Sequence, residues 1–209
     1  MTATAALLAF TATAALLTIT PGLDTALVLR TAAAEGPRRA MLAAVGIALG
    51  CLGWGLLVGA GLGALLAASQ LAYEALRWVG ALYLFYLGLK LIRVPRQSMD
   101  LAEGNVAAPA QANWLLRGFL TNMLNPKVGV FYVSFLPQFV PAGASVLCWS
   151  VLLASIHNVL GLIWFAALIA ATRPLLGALR RPGVMCWLDR LTGGLFVAFG
   201  LKLAFDARS

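Results

Sequence analysis

The sequence predicts an all-α membrane protein: six transmembrane helices forming two inverted three-helix repeats, with helices 1 and 4 broken at proline. Three observations carry this reading. The chain is 62% hydrophobic and 11% charged, with a mean hydropathy of +0.92, whereas charged residues make up about a quarter of an ordinary soluble domain. Its uncharged runs are long. Residues 1–23 and 40–73 carry no charged side chain, and 128–172 carry no acid or base other than His157, against the roughly 20 residues that a spanning helix needs. Finally, two proline-centred breaks, Thr20-Pro21-Gly22-Leu23-Asp24 and Asn125-Pro126-Lys127, lie 105 residues apart, each near the middle of an apolar stretch.

Taken in order, the first helix is expected at about 4–31. It has no basic leading segment and runs through Pro21 and Asp24 to Arg30, so it is expected to be retained and not cleaved as a signal peptide. The second, at 40–68, carries Gly46-x3-Gly50 and Gly55-x3-Gly59-x3-Gly63, a small-residue pattern that lets helices approach closely. The third, at 72–93, has a short uncharged core with flanking charges at the interface. Residues 94–112 hold Pro95, Ser98, Asp100, Glu103, Gly104 and Pro109 and read as a flexible cytoplasmic linker. The fourth to sixth helices are expected at 113–139, 144–172 and 184–206. The chain thus divides into a first repeat (1–93), a linker (94–112) and a second repeat (113–209). Trp78, Tyr83, Trp114, Trp149 and Trp187 fit anchoring or packing roles.

The repeat is visible in the residues. Gly88-Leu89-Lys90-Leu91 recurs as Gly200-Leu201-Lys202-Leu203, and Leu76 to Leu91 aligns without gaps on Leu188 to Leu203 at an offset of 112. Each half has an odd number of spans, so the halves enter the membrane in opposite directions, the architecture in which sites form at the midplane from interrupted helices. Orientation follows from the cations. One face holds Arg30, Arg38, Arg39, Lys90, Arg93, Arg96, Arg117, Arg173, Arg180, Arg181 and Arg190, and the other only Arg77, Lys202 and Arg208. The first face is therefore cytoplasmic and both termini are expected outside. The same residues account for the net charge of +8, so no nucleic-acid partner is expected.

Proline removes a backbone donor, and a charge at the bilayer centre costs roughly 2.5–3.5 kcal/mol on the most lenient scale. A chain that accepts both at two matching places is expected to build a polar site inside the membrane. Thr20 and Asn125 are each expected to cap a restarted half-helix, with Pro21 and Pro126 at its first position. A restarted helix offers N–H groups and a positive dipole end to a carboxylate, and the half-helix before it offers free carbonyls to an ammonium. That combination suits a zwitterion. Asp24 and Lys127 fall in the first turns after the breaks, where they could pair with each other or face a substrate's ammonium and carboxylate. Asp24 is also the expected carrier of a driving proton, because a desolvated carboxylate whose partner cation leaves favours its neutral form. The expected substrate-binding set is Thr20, Pro21, Gly22, Asp24, Asn122, Asn125, Pro126, Lys127, His157 and Asn158. Trp54 is expected to pack, and Gln138 to serve as a gate or loop residue.

Other functions lack their residues. Cys51, Cys148 and Cys186 form no CxxC and have no His at ligand spacing, so they read as small apolar residues and no metal or cofactor is expected. A thiol-disulfide carrier would need a cysteine near each break. An intramembrane hydrolase would need a nucleophile with a base or a metal set. A divalent-cation exporter would be poorly served by one carboxylate beside a lysine. Helices 2 and 5 are mostly Ala, Leu, Gly and Val, which hints at a small or neutral substrate. A homodimer is compatible with the sequence, which leaves the oligomeric state open.

The Pro-Gly-x-Asp break, the Asn-Pro-Lys break running on to Phe-Leu-Pro-Gln-Phe (135–139), and Gly-x-x-Tyr-Leu-x-x-Leu-Gly-x-Lys (80–90) resemble the LysE/RhtB family of amino-acid exporters over nearly the whole chain. The resemblance implies efflux of amino acids or close derivatives from a bacterial inner membrane, driven by the membrane potential and the proton gradient. It maps the family's motif positions onto Pro21, Gly22, Asp24, Asn125, Pro126 and Lys127. The family usually has a second proline where this chain has Leu23.

Overall fold

The computed structural model describes residues 2–68, 70–95, 113–172 and 181–205. Among them there is no strand. Helix α1 (Ala3–Ile19) and α2 (Leu23–Glu35) are followed by α3 (Pro37–Ala68), α4 (Gln70–Arg93), α5 (Trp114–Met123) and α6 (Pro126–Val130). A π-helical stretch (Phe131–Phe135) and a 3₁₀ turn (Leu136–Phe139) lead on to α7 (Val146–Ala170) and α8 (Pro182–Phe205). The linker expected at 94–112 lies outside the described residues from position 96 onward.

These helices fall on the six expected segments, with two changes. The loop expected between the first two segments shrinks to Gly36, whose φ of +88° is a left-handed conformation that glycine adopts without a Cβ penalty. Glu35 and Arg39 then form an ion pair across it. The fourth segment is broken at Asn125 and also over-wound and under-wound beyond it. Among the described residues, two helical stretches, Pro37–Gly61 of α3 and Val146–Ala170, are long and apolar enough to cross a membrane, and a third span results if α1 and α2, bent by 51°, count as one.

Backbone proximity organises the bundle. A Cβ on Gly46 of α3 would lie 2.0 Å from the Leu115 carbonyl oxygen of α5, and one on Gly118 would lie 2.0 Å from the Ala43 carbonyl oxygen, so these helices pack side by side at glycine-only distance. Helix α3 also packs on α7, and α4 on α8. In the latter pair Gly88 and Gly193 touch each other's carbonyls, and Gly200 approaches the Ala81 carbonyl. Gly46→Ala is expected to cost about 1–3 kcal/mol through overpacking. Gly194→Ala, where a Cβ meets nothing within 4 Å, is expected to leave stability unchanged or raise it slightly, alanine being the better helix former. Thermal unfolding in detergent compares them, and equal melting temperatures would refute the close approach.

Two apolar clusters form the interior. One gathers Phe10, Phe131, Tyr132, Phe135 and Phe139 with Leu153 and Ala154, including the Phe10–Phe139 and Phe135–Phe139 edge-to-face pairs at 5.4 and 5.1 Å. The other gathers Val28, Leu29, Ala40, Ala44, Ile47, Phe165 and Leu168.

Candidate functional site at the two helix breaks

Thr20 does not cap the restarted helix as expected. It ends α1, and its hydroxyl donates back to the Leu16 carbonyl at 2.8 Å, as Thr11, Thr13 and Thr18 do one turn below themselves. A threonine inside an apolar helix satisfies its hydroxyl most cheaply on the i−4 carbonyl, a bond that also bends helices. Gly22 takes the N-cap position of α2 without a side-chain cap, so Pro21 lies in the break before it. Asn125 does cap: its Oδ1 accepts from the Lys127 N–H at 3.1 Å, with Pro126 opening α6.

Each proline orphans the carbonyl four residues before it, since it has no N–H to offer. In the first break that carbonyl belongs to Leu17, and the Lys127 ammonium supplies the missing donor, reaching Leu17 O at 3.3 Å and Thr20 O at 2.9 Å. In the second break the carbonyl belongs to Asn122. The Asn125 N–H supplies it at 3.0 Å, with the Trp54 indole at 3.5 Å. The carbonyls at the end of α1, which the sequence suggested for a substrate's ammonium, are thus engaged by the protein's own lysine.

Asp24 reaches the other way. Its Oδ2 accepts from Asn122 Nδ2 at 2.8 Å, and its Oδ1 is buried without a hydrogen bond. Asn122 is fully buried and also lies 3.4 Å from the Cys51 sulfur. Gly50 makes room for it, because a Cβ there would fall 2.6 Å from Asn122 Oδ1. The two breaks are therefore cross-clasped: the charge of each is held by polar groups flanking the other.

Between the clusters lies a cavity of about 50 Å³, room for roughly four water-sized groups at ~10–15 Å³ each. Thr20, Gly22, Asp24, Asn125, Lys127, His157 and Asn158 line it. Pro21 and Asn122 do not; Pro21 lies in the first break, Pro126 opens α6 after the second, and Asn122 holds Asp24 from behind. His157 is buried, hydrogen-bonded through Nδ1 to the Tyr132 hydroxyl at 3.0 Å and set against the Phe131 and Tyr132 rings. Asn158 Nδ2 donates to the Ala48 carbonyl at 2.9 Å, tying α7 to α3. Trp54 packs on Gly129. Gln138 Nε2 donates to the Ser134 carbonyl at 3.0 Å within the same segment.

Sequence reasoning missed several walls of this cavity. Cys51, taken as a small apolar residue, lines it next to Asn122. Thr18, Thr25, Gly161 and Phe165 also line it. A helical face drawn through His157 would have found Gly161 and Phe165, which follow it at intervals of four. Among the described residues no three His, Cys, Asp or Glu side chains are grouped to hold a metal ion.

A family model described as LysE type translocator matches residues 15–207. The chain is 31% identical to a leucine efflux protein of Enterobacter sp. (strain 638), over 89% of each chain. It is 30% identical to a homoserine/homoserine lactone efflux protein of Salmonella typhimurium, over 94% of each. It is also 29% identical to the uncharacterized membrane protein YrhP of Bacillus subtilis, over 94% of this chain and 97% of that one. No solved structure matches the chain. With a family model spanning almost its whole length and relatives aligned nearly end to end, the chain belongs to the LysE type translocator family.

Proposed function

We propose that the chain exports amino acids or close derivatives across the bacterial inner membrane through the cavity at the two breaks, with both termini outside. The observation that carries this reading is the cross-clasp, which puts one carboxylate and one ammonium on the wall of a single cavity. A zwitterion is the ligand that such opposed charges fit. Its ammonium goes to Asp24, whose Oδ1 has an acceptor position to offer, and its carboxylate goes to Lys127 once that ammonium turns from the α1 carbonyls. The efflux relatives handle leucine and homoserine or its lactone by name, which agrees with this chemistry.

The same reading includes six spans in inverted repeats. Support comes from contacts between equivalent positions: Gly22 faces Lys127 at the offset of 105, and the Gly88–Gly193 contact becomes Gly200–Ala81 at the offset of 112. Contacts that exchange under the repeat are what a two-fold axis in the membrane plane produces. Asp24 is the proton carrier in this scheme, accepting a proton when Lys127 and the substrate's ammonium have both withdrawn.

The test is efflux from proteoliposomes preloaded with a panel of amino acids, with and without an imposed proton gradient. Efflux of at least one member, accelerated by the gradient, is expected. No efflux of any member would overturn the proposal.

A further inference from the structure

We propose that the transported amino acid is neutral with an aliphatic side chain, and that Gly161 sets how long that side chain can be. The inference rests on the efflux reading above and extends it from the charged head of the substrate to its tail. Helices α3 and α7 run antiparallel along the cavity, so their lining residues pair in levels. Cys51 and His157 both line the cavity, and Ala48 is bonded to Asn158. Ala44 and Ile47 share a cluster with Leu162 and Phe165.

From the first level to the last the wall changes from polar to apolar. The charged side chains lining the cavity, Asp24 and Lys127, belong to the two breaks. The Ala44–Phe165 end therefore forms an apolar slot leading away from the zwitterion site. A charged side chain entering that slot would be desolvated without a partner, which is strongly unfavourable, while a methylene chain would gain from burial.

Gly161 lies on the slot's wall, one helical turn beyond His157 and one before Phe165. A Cβ built there meets nothing within 4 Å, in contrast to Gly46, Gly118 and Gly88, whose missing side chains make room for backbone. The space in front of Gly161 is therefore left open for a ligand and is not needed for helix packing. A Cβ added at 161 enters that space without meeting a neighbour, and leucine is a better helix former than glycine. The fold is thus expected to tolerate the change while the slot shortens.

The experiment is efflux of alanine, leucine and lysine from proteoliposomes containing the parent, Gly161→Leu, or Gly194→Leu as a control on an exposed glycine outside the cavity. The parent is expected to export leucine at least about tenfold faster than lysine. Gly161→Leu is expected to raise the ratio of alanine to leucine efflux by about tenfold or more, the size of effect that one or two methylenes have in an apolar pocket, at a melting temperature no lower than the parent's. Gly194→Leu is expected to keep the parent's ratio. An unchanged ratio in Gly161→Leu, or a parent that prefers lysine, overturns the slot. Absence of efflux by the parent overturns the efflux reading itself, so the two failures are distinguishable.

Discussion

Asp24→Asn is expected to cut gradient-driven efflux by about 100-fold while the protein still folds. The carboxamide has the shape of the carboxylate and can keep an oxygen toward Asn122 Nδ2, which Asp24 meets at 2.8 Å. What it cannot do is carry a charge or take up a proton. A charge-assisted hydrogen bond contributes roughly 1.5–3 kcal/mol, and the upper end of that range is about two decades in rate or affinity. The Lys127 ammonium is left without its counter-charge but keeps the Leu17 and Thr20 carbonyls, so the melting temperature in detergent is expected to fall modestly, and by less than in Lys127→Met. Undiminished proton-driven efflux in Asp24→Asn would sink both the binding and the coupling role given to this residue.

Lys127→Met is expected to do more damage, because the lysine also has a structural task. Its ammonium satisfies Leu17 O and Thr20 O at the end of α1, and a buried carbonyl left without a donor costs roughly 1–3 kcal/mol. The substitution also leaves Asp24 as an uncompensated buried charge, a change that typically costs about 3–5 kcal/mol. Both efflux and thermal stability are therefore expected to fall, by about 100-fold and by several kcal/mol. The double variant Asp24→Asn with Lys127→Met removes the lone charge and is expected to recover part of the stability and none of the efflux. Lys127→Arg is expected to fail as well, since a planar fork does not replace a compact ammonium on two carbonyls of one helix end. A Lys127→Met protein as stable as the parent would refute the clasp.

Much of this arrangement was legible before any coordinates. Proline at 21 and 126 acts locally, by removing one donor and restricting the residue before it, so the positions of both breaks follow from the residue types alone. Asn125 was also legible, because an asparagine directly before a proline has one dominant use at a helix start. Thr20 misled for a physical reason: a threonine hydroxyl can accept from a restarted helix or donate to the carbonyl behind it, and the residue type does not choose. Cys51 and Gly161 were missed because their importance lies in what faces them, Asn122 in one case and open space in the other.

By itself the sequence determined an all-helical membrane chain, the two breaks, the charges placed just after them and the family to which the chain belongs. Those rest on hydropathy, proline chemistry and residue order, which are properties of short segments. The tertiary structure decided where each charge goes: Lys127 to carbonyls 107 and 110 residues away and Asp24 to an amide 98 residues away. It also decided that α3 and α7 wall an apolar slot beside them. A group orphaned by a break must find a partner, but local chemistry says only that it must. Which partner it finds is settled by the helix crossings, and those depend on glycines whose neighbours lie in other segments of the chain.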